Sequence, residues 1–365
     1  MPEAMKERYY NKGSIGVLAS RLKAVYPLLS LDDFVGEIID ETWDALELKA
    51  RMRRITVTLG KYLPPDYRQA LGILDKVIAR YPAGYVDSGL LYFPDFVEVF
   101  GQDARHWDLS MAALERYTPY STAEFAVRPF IIRQEERMMN QMAEWTGHHG
   151  EHVRRLASEG CRPALPWGQA LSSFKKDPLP VLRILELLKG DPSLYVRKSV
   201  ANNLNDISKT HPGLVAQVAK DWYGKNEYTN WIVKHGCRTL LKKGDRDVLS
   251  LFGFADTDCA HIEAFTLDAA SICIGHEMTF SFLIEAKKET KVRLEYGIDY
   301  VKANGTRNRK IFKISEPSLK ENTQKPYTKT HSFADTSTRK HYPGTHSITL
   351  IVNGAERGTL DFEVH

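Results

Sequence analysis

The side chains whose types and spacing could do chemistry lie in the middle of this sequence. A marker of valine followed by a basic residue and a helical pattern occurs at Val153-Arg154, Val196-Arg197 and Val233-Lys234. On a helix, the residues three and four after each valine share its buried face, and the face two positions on carries a different set. That second face holds Arg155 and Glu159 at the first marker, Lys198, Asn202 and Asp206 at the next, and His235, Thr239 and Lys243 at the last. Stacked side by side, such helices would align carboxylates and cations in one polar stripe. Carboxylates so placed can stabilise a developing positive charge or take a proton from water.

Each of these residues also has a plainer reading. The stripe could be a solvated face with intrahelical pairs such as Arg155 with Glu159. Against it, Glu159 sits just before Gly160 at an expected helix end, and Asp206 lies in the last turn of its helix. A carboxylate there opposes the helix dipole. Glu124 closes the stretch Ser121-Thr122-Ala123-Glu124, which matches a capping box with Glu124 reaching back to Ser121. Trp167 follows Pro163-Ala164-Leu165-Pro166, a segment that disfavours helix. A tryptophan there is either a packing anchor or a stacking platform beside a groove.

The elements that must position these residues change character along the chain. It has 365 residues, 43% of them hydrophobic and 10% aromatic, enough for two packed domains. Up to about Ala255 apolar residues recur at three- and four-residue spacing. Helices are expected from Ile15 to Tyr26, over Phe34 to Leu59 as one or two pieces, and from Tyr67 to Arg80, the last stopped by Pro82 and Gly84. The valine markers recur about every 40 residues, the period of HEAT-like helix pairs, which stack because no pair can bury its apolar stripe alone. Asp191-Pro192-Ser193 is a turn and helix-start signal. After Ala255, short alternating runs begin at Glu277, Lys291, Arg309, His346 and Thr359, with Asn353-Gly354 as a hairpin signal between the last two. The expected architecture is multidomain, α then β: a HEAT-like α-solenoid over 1–256, followed by an immunoglobulin-like β-sandwich over 258–365.

Composition narrows the function classes. The net charge is +4, mildly basic, so the distribution of charge matters more than its sum. Cys161, Cys237, Cys259 and Cys273 form no CxxC pair, which gives neither zinc-ligand spacing nor a disulfide framework. No metal and no cofactor is expected. Met1 to Lys12 is charged where a signal peptide would be apolar, and no run has the roughly 20 apolar residues of a membrane span. A cytoplasmic protein with no membrane contact is expected.

Three blocks resemble the bacterial AlkC family of alkylpurine and alkylpyrimidine DNA glycosylases: AEFAVRPF from Ala123, HVRRLASEGCRPALPW from His152, and DPSLYVRKSVANNLND from Asp191. The order of the blocks matches, and the family includes members with an immunoglobulin-like tail. The first hundred residues carry no matching motif. The resemblance implies that Glu124, Glu159 and Asp206 supply active-site carboxylates and that Trp167 packs beside the lesion. It implies bases methylated at ring nitrogens as substrates, chiefly 3-methyladenine and 3-methylcytosine in double-stranded DNA, recognised without a deep flipped-base pocket. A monomer acting on the bacterial nucleoid is expected. The phosphate-contact candidates are then Arg128, Arg154, Arg155, Arg162, Lys175, Lys176, Arg197, Lys198 and Lys234 on the body. In the tail, the basic stretch from Lys302 to Lys340 adds Arg307, Arg309 and Lys310. The competing expectations are a HEAT-type protein-interaction scaffold and a damage sensor that binds without cutting.

Overall fold

The computed structural model describes residues 4–82, 87–336 and 339–365. The chain forms two compact units. One comprises Met1–His211 with Trp222–Gly236, the other Pro212–Asp221 with Cys237–His365.

The first unit is helical. The amphipathic stretch from Phe34 becomes two helices, Leu31–Ile38 and Leu48–Tyr62, separated by a 3-10 turn at Trp43–Ala45. The next helix, Tyr67–Ile78, starts on Asp66, whose side chain accepts the Gln69 amide; the expected stop at Gly84 falls outside the described residues. The repeat markers hold: Val153, Val196 and Val233 are fully buried. Their helices, Glu151–Glu159, Leu194–Ile207 and Glu227–Gly236, pack in succession. Ser193 caps the middle one, and Asp191 Oδ1 accepts the Ser193 amide at 2.8 Å, so the Asp-Pro-Ser stretch acts as read.

The third helix is too short to carry the whole predicted face of His235, Thr239 and Lys243. That helix ends at Gly236, and Thr239 belongs to a separate short helix, Arg238–Lys242. A Cβ on Gly236 would stand 2.9 Å from the Leu204 side chain, so the two helices close to a separation only glycine permits.

The second unit carries the sandwich. Its strands are β1 (Ala260–Leu267), β2 (Ser271–Ile272), β3 (Glu277–Ala286), β4 (Thr290–Lys291), β5 (Leu294–Val301), β6 (Arg307–Ser315), β7 (Ser318–Leu319), β8 (Gln324–Ser332), β9 (Gly344–Val352) and β10 (Ala355–Val364). One sheet has the order β1-β3-β8, the other β2-β10-β9-β5-β6, with β4 paired to β7. Phe280, Phe282, Ile284, Tyr296, Ile298, Ile348, Leu350 and Phe362 fill the space between them. Asn353 and Gly354 both take positive φ, as a two-residue hairpin requires. The helical residues after Gly236 belong to this unit: Lys291 Nζ donates to the Phe252 carbonyl, and Asn353 Nδ2 to that of Asp256. The boundary in packing thus precedes the change of secondary structure on which the 1–256 and 258–365 division was drawn.

Candidate active site

Glu124 lies in the turn before the Val127–Arg133 helix. No capping box forms there. Thr122, not Ser121, serves the glutamate: its hydroxyl donates to Glu124 Oε2 at 3.0 Å, while the Ser121 hydroxyl has no partner. Glu124 Oε2 stands 2.5 Å from Nη1 of Arg155. Arg155 also reaches Glu159 Oε1 at 3.5 Å, and the Tyr195 ring lies 5.1 Å from its guanidinium carbon. Glu159 is the last residue of its helix, and Arg162, three residues on, donates to the same Oε1 at 2.6 Å. The other edge of Arg162 meets Asp206 Oδ2 at 2.8 Å, and Lys209 meets Asp206 Oδ1 at 2.9 Å. Three carboxylates and three cations therefore alternate through one line. Burial alone would push the Arg155 and Arg162 pKa values down; the adjoining carboxylates outweigh it and hold both above the ordinary value. The intrahelical Arg155–Glu159 pair is real, but it is one link of a longer network and is not a solvated face.

Arg128, expected to contact phosphate, is 1% exposed. Its guanidinium donates to the carbonyls of Gly160, Arg162 and Gln169 at 2.9, 2.9 and 2.5 Å. Burial lowers its pKa to about 10. Buried, and with each of its three nitrogens bonded to a carbonyl, Arg128 clasps the 160–169 loop and is not on the surface where a phosphate would lie. That loop carries Trp167, whose φ of +63° lies in the left-handed region that bulky residues avoid. Lys49 Nζ donates to the Trp167 carbonyl and lies 4.4 Å from the centre of the Phe125 ring. Trp167 is 65% exposed, so it is no packing anchor.

Beside the network is a half-open cleft of about 300 Å³. Glu124, Glu159 and Arg162 line it together with Met5, Leu48, Met52, Leu91 and Phe125, and with Leu165, Pro166 and Trp167. Asp206 is not among the lining residues. Sequence reasoning missed the apolar contribution from the N-terminal helices, and Lys49 with it. Those positions read as ordinary amphipathic helix, and nothing local marks them.

The other cations divide into two groups. Arg154 is held by Asp191 at 2.7 Å and by the carbonyls of His148 and His149. Arg197 donates to the carbonyls of Asp191 and Pro192 and covers the Tyr228 ring. Arg155 and Arg162 belong to the carboxylate network. These four serve structure or the acids before any phosphate. Lys175, Lys176, Lys198 and Lys234 are exposed. In the sandwich Arg309 is paired with Asp299 and Glu356, Arg307 donates to the Ser347 hydroxyl, and Lys310 is exposed. The basic stretch from Lys302 to Lys340 lies largely on β6 and β8, each at the edge of its sheet, where lysines also discourage pairing with other chains. Among the described residues, one trio has the geometry of possible metal ligands: His261, Glu263 and Glu285, on β1 and β3.

Helical repeats with a carboxylate network, joined in sequence to an immunoglobulin-like sandwich, define a class that known proteins share. Residues 261–365 match the family described as the C-terminal Ig-like domain of YhaZ. The YhaZ protein of Bacillus subtilis (strain 168) is 49% identical over 355 residues, covering 97% of this chain and 98% of that one. The structure of the Pseudomonas fluorescens alkylpurine DNA glycosylase AlkC, bound to DNA containing an abasic site analog, superposes with a TM-score of 0.94 at 37% identity, covering all of both chains. This chain belongs to the AlkC family. No helix among its described residues is long and apolar enough to cross a membrane.

Proposed function

We propose that this protein is a DNA repair glycosylase. It would hydrolyse the N-glycosidic bond of cationic, ring-N-methylated bases in double-stranded DNA, with 3-methyladenine and 3-methylcytosine as its substrates. The observation that carries the reading is the convergence of Glu124 and Glu159 on one cleft that an exposed tryptophan also lines. The full-length likeness to AlkC supports it.

The chemistry suits these groups. A base methylated at N3 is already a cation and departs as a neutral molecule, so the leaving group needs little acid assistance. The deoxyribose left behind becomes oxocarbenium-like. A carboxylate oxygen near its anomeric carbon stabilises that charge, and a second orients the attacking water and takes its proton. The Trp167 face favours a nearby cation by roughly 0.5–2 kcal/mol. A half-open cleft fits recognition without a deep enclosing pocket. Lys175, Lys176, Lys198 and Lys234 on the body, with Arg307 and Lys310 in the sandwich, would meet phosphates. Release of free 3-methyladenine and 3-methylcytosine from methylated duplex, followed by chromatography, tests the reading. Binding without release would make the protein a damage sensor; neither binding nor release would leave an interaction scaffold.

A further inference from the structure

The network treats its three carboxylates unequally. Contacts to Glu124 fall on Oε2 and those to Glu159 on Oε1. Glu124 Oε1 and Glu159 Oε2 accept no hydrogen bond from the described residues, and both glutamates line the cleft. Asp206 has no such oxygen. Its Oδ2 takes both Nε and Nη2 of Arg162 at 2.8 Å, its Oδ1 takes Lys209 at 2.9 Å, and it stands outside the cleft lining.

Resting on the glycosylase reading above, we propose that Glu124 and Glu159 are the catalytic pair, and that Asp206 acts on the reaction only through Arg162, a positioning residue. A guanidinium is a rigid planar fork. With its Nε–Nη2 edge held by Asp206, Arg162 has Nη1 left for Glu159, and that bond fixes one oxygen of a glutamate that lines the cleft and leaves the other unbonded. The charge balance runs the same way. Arg162 lines the cleft in which positive charge would develop on the sugar, so an uncompensated guanidinium would oppose the reaction. Asp206 cancels it while Lys209, half exposed, restrains the aspartate from the other side.

The test is the single-turnover release of 3-methyladenine from methylated duplex by the full-length protein, with DNA affinity measured by anisotropy and folding by thermal melting. Asp206→Asn is expected to slow release roughly 10- to 100-fold at near wild-type affinity, the signature of an interaction used in the transition state. The double variant Asp206→Asn/Arg162→Gln is expected to release base at least about threefold faster than Asp206→Asn, because the stranded cation leaves with its partner. Arg162→Gln supplies the second comparison: in that background, adding Asp206→Asn should cost less than about threefold. An aspartate that itself touched the sugar or the water would keep its full cost there, and the double variant would be the slowest of the set. A wild-type protein that releases base, together with a double variant no faster than Asp206→Asn, overturns the division of roles alone. A wild-type protein that releases no base overturns the glycosylase reading and this proposal with it.

Discussion

The two units each bury a polar cluster, and they do so in opposite ways. In the helical unit, Glu124, Arg155, Glu159, Arg162, Asp206 and Lys209 are all charge-bearing groups, matched one against the next beside an open cleft. In the sandwich, His331 is closed off among rings: Tyr296 and Tyr300 hydroxyls lie 2.8 and 2.6 Å from its two nitrogens, with Phe312 and Phe333 packed alongside. No carboxylate among the described residues reaches that imidazole. Burial, reinforced by the charges of Arg339 and His341, drops its pKa to about 4. The ring cluster around His331 keeps its polar groups neutral, while the buried charges elsewhere in the sandwich, Arg293 with Glu295 and Glu316, are paired with each other. A cluster that keeps its charges carries a desolvation penalty that its pairing only offsets, so charge retained beside a cleft points to function.

Breaking the charged side should have the largest effect. Glu124→Gln and Glu159→Gln are each expected to slow single-turnover excision by about 10²- to 10³-fold, with DNA affinity little changed. Because Glu124 caps no helix, Glu124→Gln should leave the melting temperature within a few degrees of wild type. Near-wild-type rates in both variants would remove the catalytic assignment.

The neutral side should respond to pH instead. His331 has a folded pKa of about 4 against an ordinary 6.5, so the unfolded chain takes the proton first. Its contribution to stability is complete above pH 6.5 and is lost as pH falls toward 4, about 3 kcal/mol in all. Chemical unfolding of the sandwich followed from pH 7 to pH 4 should show this loss, and His331→Gln should flatten the slope. An unchanged slope in that variant would mean that another group titrates.

Trp167 separates stability from activity at a single position. Trp167→Gly should relieve left-handed backbone strain and raise stability by about 1 kcal/mol. It should also cut excision roughly 10-fold through loss of the indole face. A variant that is both less stable and fully active would return Trp167 to a packing role.

The smallest effect is expected at the sheet edges. Lys310→Glu with Lys329→Glu, on β6 and β8, should weaken duplex binding and make its salt dependence shallower by roughly 0.9 per lost phosphate contact. Binding unchanged across a salt series would leave these lysines to guard the edges.

Much of the architecture was legible because local signals agreed with packing. The valine markers are buried where the period placed them, and Asn353-Gly354 turns the hairpin it announces. β8 was not legible: QKPYTKTHS is an edge strand with mostly exposed side chains, so it lacks alternation. The third helix ends at Gly236, which packs against Leu204, a neighbour 32 positions earlier that no local pattern reveals. Arg128 looked like any exposed cation, since only the fold brings three carbonyls to it. Glu159 and Asp206 were suggested by their poor fit to helix ends, whereas Glu124 read locally as a cap and its role was implied only by the family resemblance. The apolar side of the cleft, built from Met5, Leu48, Met52 and Leu91, has no signature except its place in space.

The Arg128 clasp limits how this protein can vary. Connections between helices ordinarily gain or lose residues freely, because little inside the fold measures their length. Here three carbonyls spread over ten positions, 160 to 169, converge on one guanidinium. Adding or deleting one residue would slide at least one carbonyl out of reach and leave a buried donor unpaired. The loop between Gly160 and Gln169 is therefore a ruler. Diversity among functional variants is expected in its side chains and excluded from its length.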